Sequence, residues 1–392
     1  MADTLAPLAD ALVLVVDDEA FNRVLIESLL RKGGFRAVVS VADGASALAF
    51  VEQQTPTCIL LDVVMPGIDG LEVCRRLRAD PRFAHIPVIV QTAMASPKQR
   101  RAAFAAGASD VVAKPYDPAE LEARVRVHLS NALLSADLLA YRKHMEFELR
   151  EARVLSETVL PQPALLADIA THGLTLSHFY HPCTTIGGDY WNTWILTDGT
   201  VALAFADVSG HGVSAALRMF ALHTLMMPPP PFGADPSAVT AHLDRRLHAY
   251  GHNRAQYVAG VYGVIDPARR TFRFVPGGLR DAFLRRRDGT LHPVSLSGLP
   301  FGLLAETARP TSEVRFEEGE TLILYSDALV ECDGPDGPRS EEDLLAWMAP
   351  LLATDPPPPD RLGPWLAERF LAAFGEGVSD DLLIVTATLG GG

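Results

Sequence analysis

Along residues 11–130 a short apolar run is repeatedly followed by an amphipathic one. ALVLVVDD (11–18), CILLD (58–62) and IPVIVQTA (86–93) are nearly continuous apolar stretches, too short for ordinary helices, and predict buried strands. AVVSV (37–41) and DVVAK (110–114) predict two more. Between them, 20–32 reads as a helix stopped by Gly33 and Gly34, DGASALAFVEQ as a second, and a further helix ends near Gly107. Units of this kind predict a doubly wound α/β parallel sheet that closes near residue 130.

From Pro118 to Leu160 glycine disappears and Leu, Ala, Glu and Arg dominate. Steps of four and three from Leu138 give Arg142, Met145, Leu149, Ala152, Ser156 and Val159, a mostly apolar stripe that predicts a long helix with a pairing seam. The alternative is a helix packed on its own domain. Pro161 and Pro163 end it. Beyond, apolar or alternating runs dominate: LTLSHFYHP, VALAFADVS, QYVAGVYGVID, TFRFVPGG, DAFLRRR, TLILYSD and LLIVTATL. Helical stretches at 213–227, 235–250, 341–353 and 360–374 lie between them. Strand runs interrupted by helices predict an antiparallel α+β sandwich. The expected organisation is a first domain over 8–130, a coiled-coil-like linker over 131–163 and a second domain over 164–390.

Composition adds exclusions. The net charge of −14 disfavours nucleic acid and anionic membrane surfaces as partners. No apolar run approaches the roughly 18 residues of a spanning helix, and the acidic start lacks a basic leader, so a cytoplasmic protein is expected. Cys58, Cys74, Cys183 and Cys332 lie far apart without a CxxC pair, indicating neither a zinc site nor a disulfide framework.

Asp17 and Asp18 end the first strand, Asp62 the third, Thr92 the fourth and Lys114 the fifth. In a doubly wound sheet these strand ends form the ligand-binding rim. Acids sharing such a rim call for a hard cation such as Mg²⁺, and the added hydroxyl and ammonium can hold a phosphoryl group, with Asp62 as nucleophile. VVDDE, LLDVVMPGIDG, QTA and AKPYD make this region resemble the receiver domain of two-component response regulators. The resemblance implies strand order 2-1-3-4-5 and phosphorylation of Asp62 by a sensor histidine kinase. It also implies Mg²⁺ held by Asp17, Asp18 and Asp62, with Thr92 and Lys114 reading the phosphate. Val111 stands where the family often has an aromatic switch residue.

The second region repeats acids beside apolar runs: GGDYW (Asp189), FADVSGHG (Asp207), LYSDALVE (Asp327) and SDDLLIV (Asp380, Asp381). If the strands pair, these acids converge, and a buried carboxylate cluster calls for divalent cations. Two bridged Mn²⁺ or Mg²⁺ ions would activate water for in-line attack on a phosphoryl group. Gly187, Gly188, Gly210 and Gly212 permit close backbone approach, and His211 is a candidate general acid or orienting group. A dinucleotide reading of Gly210-His-Gly212 fails for want of a following βαβ unit. With LSETVLPQ, YVAGVYGVIDP and GLPFGLL, these motifs make about 155–389 resemble the PPM family of metal-dependent serine/threonine protein phosphatases, in its SpoIIE-like branch. The resemblance implies a PPM-type β-sandwich flanked by helices. It makes Asp189, Asp207, Asp327 and Asp380 catalytic metal ligands, with the Val208 carbonyl directed at a metal. The implied substrates are phosphoserine or phosphothreonine on small anti-sigma-factor antagonists. Departures from the branch pattern are Asn192 for Asp, Ala328 for Gly, Leu383 for Thr, and Pro276-Gly277-Gly278 for an AGH-type turn. Ala328 lacks the freedom of Gly at positive φ, so the Asp327 turn is expected to sit differently.

The expected function is a response regulator whose output is metal-dependent protein serine/threonine phosphatase activity, acting as a homodimer paired through the linker. The alternative is a receiver-switched adaptor that binds a phosphoprotein without turnover.

Overall fold

The computed structural model describes residues 8–93, 96–208, 212–227, 230–250, 257–332, 337–354, 356–375 and 378–390. It comprises two compact units, Met1–Glu146 and Phe147–Gly392.

The first unit runs β1 (Val13–Val16), α1 (Ala20–Lys32), β2 (Val38–Val41), α2 (Gly44–Gln53), β3 (Cys58–Asp62), α3 (Gly70–Ala79), β4 (Val88–Thr92), α4 (Pro97–Ala105) and β5 (Asp110–Ala113), and contains the start of α5 (Pro118–Glu157). Its parallel sheet has the order β2-β1-β3-β4-β5, as expected for the doubly wound fold. Every residue of β1, β3 and β4 is buried, which is why these strands read as continuous apolar runs rather than alternating ones. Alternate residues serve opposite faces. Leu14, Val16, Ile59 and Leu61 pack with Val51 of α2 and Val73 and Leu77 of α3. Val13, Val15, Cys58 and Leu60 pack with Ile26 and Leu30 of α1 and Leu121 and Val125 of α5. Asp43 and Asp69 cap α2 and α3 by accepting the amides of Ser46 (2.8 Å) and Glu72 (2.7 Å). Gly70 is required where α3 begins, since a Cβ there would stand 2.0 Å from the Asp62 carbonyl oxygen.

The second unit contains α6 (Pro163–Thr171), β6 (Leu174–His181), β7 (Tyr190–Ile195), β8 (Val201–Asp207), α7 (Val213–Met226), α8 (Pro236–Tyr250), β9 (Ala259–Asp266) and β10 (Thr271–Gly277). Then come β11 (Ala282–Arg285), β12 (Leu291–Val294), β13 (Ser312–Arg315), β14 (Thr321–Tyr325), α9 (Glu341–Thr354), α10 (Leu362–Phe374) and β15 (Leu382–Leu389). Two antiparallel sheets, β13-β10-β9-β8-β7 and β12-β11-β14-β15-β6, pack face to face. Trp191, Leu203, Phe205 and Phe272 of one meet Leu176, Leu322, Leu324 and Leu383 of the other. Met219 and Leu222 of α7 and Val239 and Leu243 of α8 cover the outer face of the first sheet. Leu344 and Met348 of α9 and Leu366 and Phe370 of α10 cover the second. This is the antiparallel α+β sandwich that the strand pattern predicts, with the flanking helices that the resemblance implies.

Three strands and one helix, α6, go beyond that pattern. β7 is buried up to Ile195 although it contains Asn192 and Thr193, so its polar residues hide it. β12, with a proline, and β13, polar and largely exposed, are edge strands where apolar alternation is not required. Pro276 and Gly277 lie within β10, paired with Val261 and Gly260, so the expected turn begins only at Gly278 (φ 88°).

Helix α5 runs unbroken over Pro118–Glu157, as the absence of Gly and Pro predicts. Its expected seam is corrected at the far end: Ser156 and Val159 are each 5% exposed, and Val159 packs with Tyr190, Met219 and Leu222 of its own unit. Leu134, Leu138 and Tyr141 remain exposed. Among the described residues no helix is long and apolar enough to cross a membrane.

Candidate functional site

At the carboxyl ends of the parallel strands, one oxygen each of Asp17, Asp18 and Asp62 falls within a common span of 4.8 Å. Lys114 Nζ donates to Asp17 Oδ2 and Asp62 Oδ2, each at 2.7 Å. Burial opposes the charge on Lys114, but these two carboxylates outweigh it and hold the ammonium above its usual range. Burial likewise pushes the Asp62 carboxyl up, against the opposing pull of Lys114. The second oxygen of Asp17 accepts the Glu19 amide (2.9 Å) and Asn22 Nδ2 (3.2 Å). Thr92 is buried at the end of β4, and its carbonyl accepts the Lys114 amide (2.8 Å), so hydroxyl and ammonium arrive at the same rim. Three acids, a hydroxyl and an ammonium can hold a phosphorylated Asp62 with a hard divalent ion. Val111 lines a cavity of about 40 Å³ with Val90, Thr92, Leu71 and Ala103. Tyr116 instead supplies an aromatic ring near the site, its hydroxyl hydrogen-bonded to Gln91 Oε1.

The second site is built by strand register. The pairing that sets Tyr190 opposite Ala206 leads to Asp189 and Asp207 at the same end of the β7–β8 pair. On the other sheet, Tyr325 pairs with Ile384, and Ser326 ties the strand ends together. Its amide donates to the Leu383 carbonyl (2.9 Å), its hydroxyl to the Asp381 carbonyl (2.7 Å), and its oxygen accepts the Leu383 amide (2.9 Å). Asp327 therefore starts a short 3₁₀ turn (Asp327–Leu329) close to Asp380. Burial, then the neighbouring Asp327 and Asp380, push the Asp207 carboxyl up to about 7. Burial, then Asp207, Asp381, Asp327 and Asp380, raise Asp189 well above the carboxylate range. Asp189 is 5% exposed and its Oδ2 has no hydrogen-bond partner. Carboxylates crowded without donors fit divalent cations as their ligand. A cavity of about 380 Å³ opens beside Asp207 and Asp327, lined also by Arg280, Ser297, Tyr325 and Glu331.

Of the sequence-predicted residues, Asp189, Asp207, Asp327 and Asp380 thus come together as mutual electrostatic neighbours. Val208 is buried directly after Asp207. Ser209, Gly210 and His211 lie outside the described residues. Ala328 sits in the 3₁₀ turn, and among the described residues only Arg270 combines a side chain with positive φ, so this turn does not call for glycine at that position. Sequence reasoning left Asp381 out of the ligand set. It is buried, with its carboxylate accepting the amides of Cys183 (2.9 Å) and Gly188 (2.6 Å). Only the doublet Asp380-Asp381 signalled it. Arg280, facing the cavity and paired with Glu331 at 2.6 Å, carried no signal.

Asn192 has a structural reason to be an amide. Its Nδ2 donates to the Val159 carbonyl at 2.9 Å, and its Oδ1 accepts the Thr193 amide at 2.8 Å, all buried. Aspartate here would turn an acceptor against a carbonyl. Asn192→Asp is expected to destabilise the second unit by about 1–3 kcal/mol, read as a lower urea midpoint.

Comparison with known proteins finds two separate matches along the chain. A family model described as response regulator receiver domain matches residues 13–126, and one described as Stage II sporulation protein E (SpoIIE) matches residues 197–390. The response regulator PleD of Caulobacter vibrioides is 45% identical over 116 residues, covering 30% of this chain and 25% of PleD. The probable transcriptional regulator ycf27 of Guillardia theta is 41% identical over 117 residues, covering 30% of this chain and 44% of that protein. The chain therefore spans less than half the length of either curated relative. The SiaA-PP2C domain of Pseudomonas aeruginosa superposes with a TM-score of 0.54 at 20% identity, covering 64% of this chain and 98% of that one, a likeness of fold.

Proposed function

We propose, for a chain that carries a response regulator receiver domain and a SpoIIE domain of the PPM phosphatase class, that phosphorylation of Asp62 controls hydrolysis of a protein serine/threonine phosphate. Receiver domains take phosphate from histidine-kinase-type donors, and both domain types generally depend on divalent metals. The observation supporting catalysis is the gathering of Asp189, Asp207, Asp327, Asp380 and Asp381 from both sheets at one end of the sandwich, beside the cavity.

In this reading Asp17, Asp18 and Asp62 hold Mg²⁺ in the receiver, and Thr92 and Lys114 bind the acyl phosphate. Asp189, Asp207, Asp327, Asp380 and the Val208 carbonyl hold two Mn²⁺ or Mg²⁺ ions in the phosphatase. Bound there, the ions supply a hydroxide at neutral pH and polarise the phosphoryl oxygens. The protein then contributes position and charge. Arg280 offers its guanidinium to the phosphate in an otherwise acidic cavity, and Asp207 and Asp327 orient the attacking oxygen opposite the leaving serine or threonine oxygen. The water oxygen would bond to phosphorus as the ester P–O bond breaks, and the proton that the water releases would balance the one taken up by the leaving oxygen. The SpoIIE likeness supports a small anti-sigma-factor antagonist as substrate.

The domain limits proposed are 8–130, 131–163 and 164–390, with Leu134, Leu138 and Tyr141, exposed on one stripe of α5, pairing two copies. The test labels Asp62 with a small phosphodonor and Mg²⁺, then measures Mn²⁺-dependent turnover of a phosphoserine protein. Phosphorylation is expected to change turnover several-fold, a coupling of roughly 1–3 kcal/mol. Asp62→Asn is expected to abolish both label and change. No turnover by folded, Mn²⁺-loaded, phosphorylated protein would replace this reading with the adaptor.

A further inference from the structure

Cys183 follows β6 by two residues, in the segment that carries the chain to Gly187 and Asp189. One ligand-capable atom each of Cys183, Asp380 and Asp381 lies within 4.8 Å of the others. The thiol is partly exposed, Asp380 is exposed and Asp381 is buried, so the trio is open to solvent on one side. Asp381 is fixed in place: Oδ1 accepts the Cys183 amide and Oδ2 the Gly188 amide. Cys58, Cys74 and Cys332 are buried, which leaves Cys183 as the accessible thiol.

A separate observation at the same place points to a cation. Two buried oxygens, Asp189 Oδ2 and Tyr180 Oη, have no hydrogen-bond partner. Both lie in the field of Asp381, and the Tyr180 hydroxyl also in that of Cys183. A Cβ on Gly187 would stand 2.2 Å from Tyr180 Oη and 2.4 Å from Asp381 Oδ2, so these oxygens crowd one point. Asp189 Oδ2, buried without a donor in the field of Asp381, is the kind of oxygen that a metal ion stabilises.

We infer that Cys183 supplies a sulfur ligand to a divalent ion held by Asp380 and Asp381, which biases this end of the acidic site toward Co²⁺, Zn²⁺ or Cd²⁺ over Mg²⁺. A thiolate is a soft donor that these ions accept and Mg²⁺ does not, whereas carboxylates alone suit Mg²⁺ and Mn²⁺. As the sulfur–metal bond forms, the thiol proton passes to solvent and the ion loses a bound water; no electron changes hands. The inference concerns the choice of metal and holds whether or not the domain hydrolyses a phosphoprotein.

The test titrates Co²⁺ into reduced full-length protein and follows sulfur-to-cobalt charge-transfer absorption in the near ultraviolet. The Asp17, Asp18 and Asp62 cluster has only oxygen donors and gives no such band. A saturable band is expected in the native protein, absent from Cys183→Ser, and reached at about tenfold or more higher Co²⁺ in Asp381→Asn. Zn²⁺ is expected to displace it and Mg²⁺ at the same concentration is not. Circular dichroism and melting report whether each variant folds. If Cys183→Ser does not fold, alkylation of Cys183 in the native protein, verified by mass spectrometry, takes its place. No band at saturating Co²⁺, a band that survives loss or alkylation of Cys183, or displacement by equal Mg²⁺ overturns the inference. Mn²⁺-dependent turnover, measured separately, reports on the phosphatase reading alone.

Discussion

Replacing Asp207 with asparagine is expected to lower Mn²⁺-dependent hydrolysis of a phosphate ester by roughly a thousandfold while leaving the protein folded. Asp207 closes β8 in register with Ala259 and stands at the meeting point of the two strand ends, against Asp189 on its own sheet and Asp327 and Asp380 from the other. Its carboxylate would therefore help to hold a divalent ion at this end of the sandwich. Asparagine keeps the shape and removes the charge that holds a cation. The same change relieves repulsion in the metal-free protein, because Asp207 is pushed up to about 7 by burial and by its acidic neighbours. Activity and metal-free stability should therefore move in opposite directions, a split that a merely structural aspartate would not produce. Steady-state kinetics and melting of the same preparation, with and without Mn²⁺, measure both. Turnover within tenfold of the native protein would remove Asp207 from the metal site.

How far such a site is legible beforehand depends on where each residue's partners lie. Asp17, Asp62, Thr92 and Lys114 each sit at the end of an apolar run, so recognising the runs as parallel strands already places them on one rim. The strands of that sheet and the two-layer sandwich were equally readable, because burial on both faces leaves uninterrupted apolar stretches, whereas the order of the sheet followed only from the family resemblance. Partners set by long-range pairing were not. Asn192 reads as a departure from a pattern until Val159, 33 positions away, is seen accepting its amide. Cys183 reads as an isolated cysteine until β6 and β15 pair and set it beside Asp380 and Asp381. Ser156 and Val159 fit a pairing seam by spacing, yet Val159 packs on β7 and α7, because periodicity specifies a face and not what covers it. Asp381 differs from Asp380 in being buried and in accepting the Cys183 and Gly188 amides, which no local signal distinguishes.

The metal-free protein is expected to lose stability as pH rises from about 4 to about 7. Asp207 titrates near 7 in the folded protein against an ordinary 3.8, and Asp189 is also raised, each through burial first and neighbouring acids second. A folded state that holds protons more tightly than the unfolded chain is favoured fully below the unfolded pKa. That advantage is lost as pH climbs toward the folded value, above which stability no longer changes with these groups. Each unit of upward shift corresponds to about 1.4 kcal/mol, so the melting temperature of the second domain should fall by several degrees between pH 5 and 8 in the presence of a chelator. Asp62 is raised as well and contributes with the same sign in the receiver, so the comparison must isolate the second site. Asp207→Asn does so, since it removes one titrating group there and should flatten the slope of that transition alone. Divalent ions replace the missing protons as counter-charge. Mn²⁺ should therefore raise the melting temperature little at pH 5 and most at pH 8, where the unneutralised carboxylates repel one another most strongly. A melting temperature that is flat or rising across this range without metal would mean that the acids are not crowded as the two sheets place them.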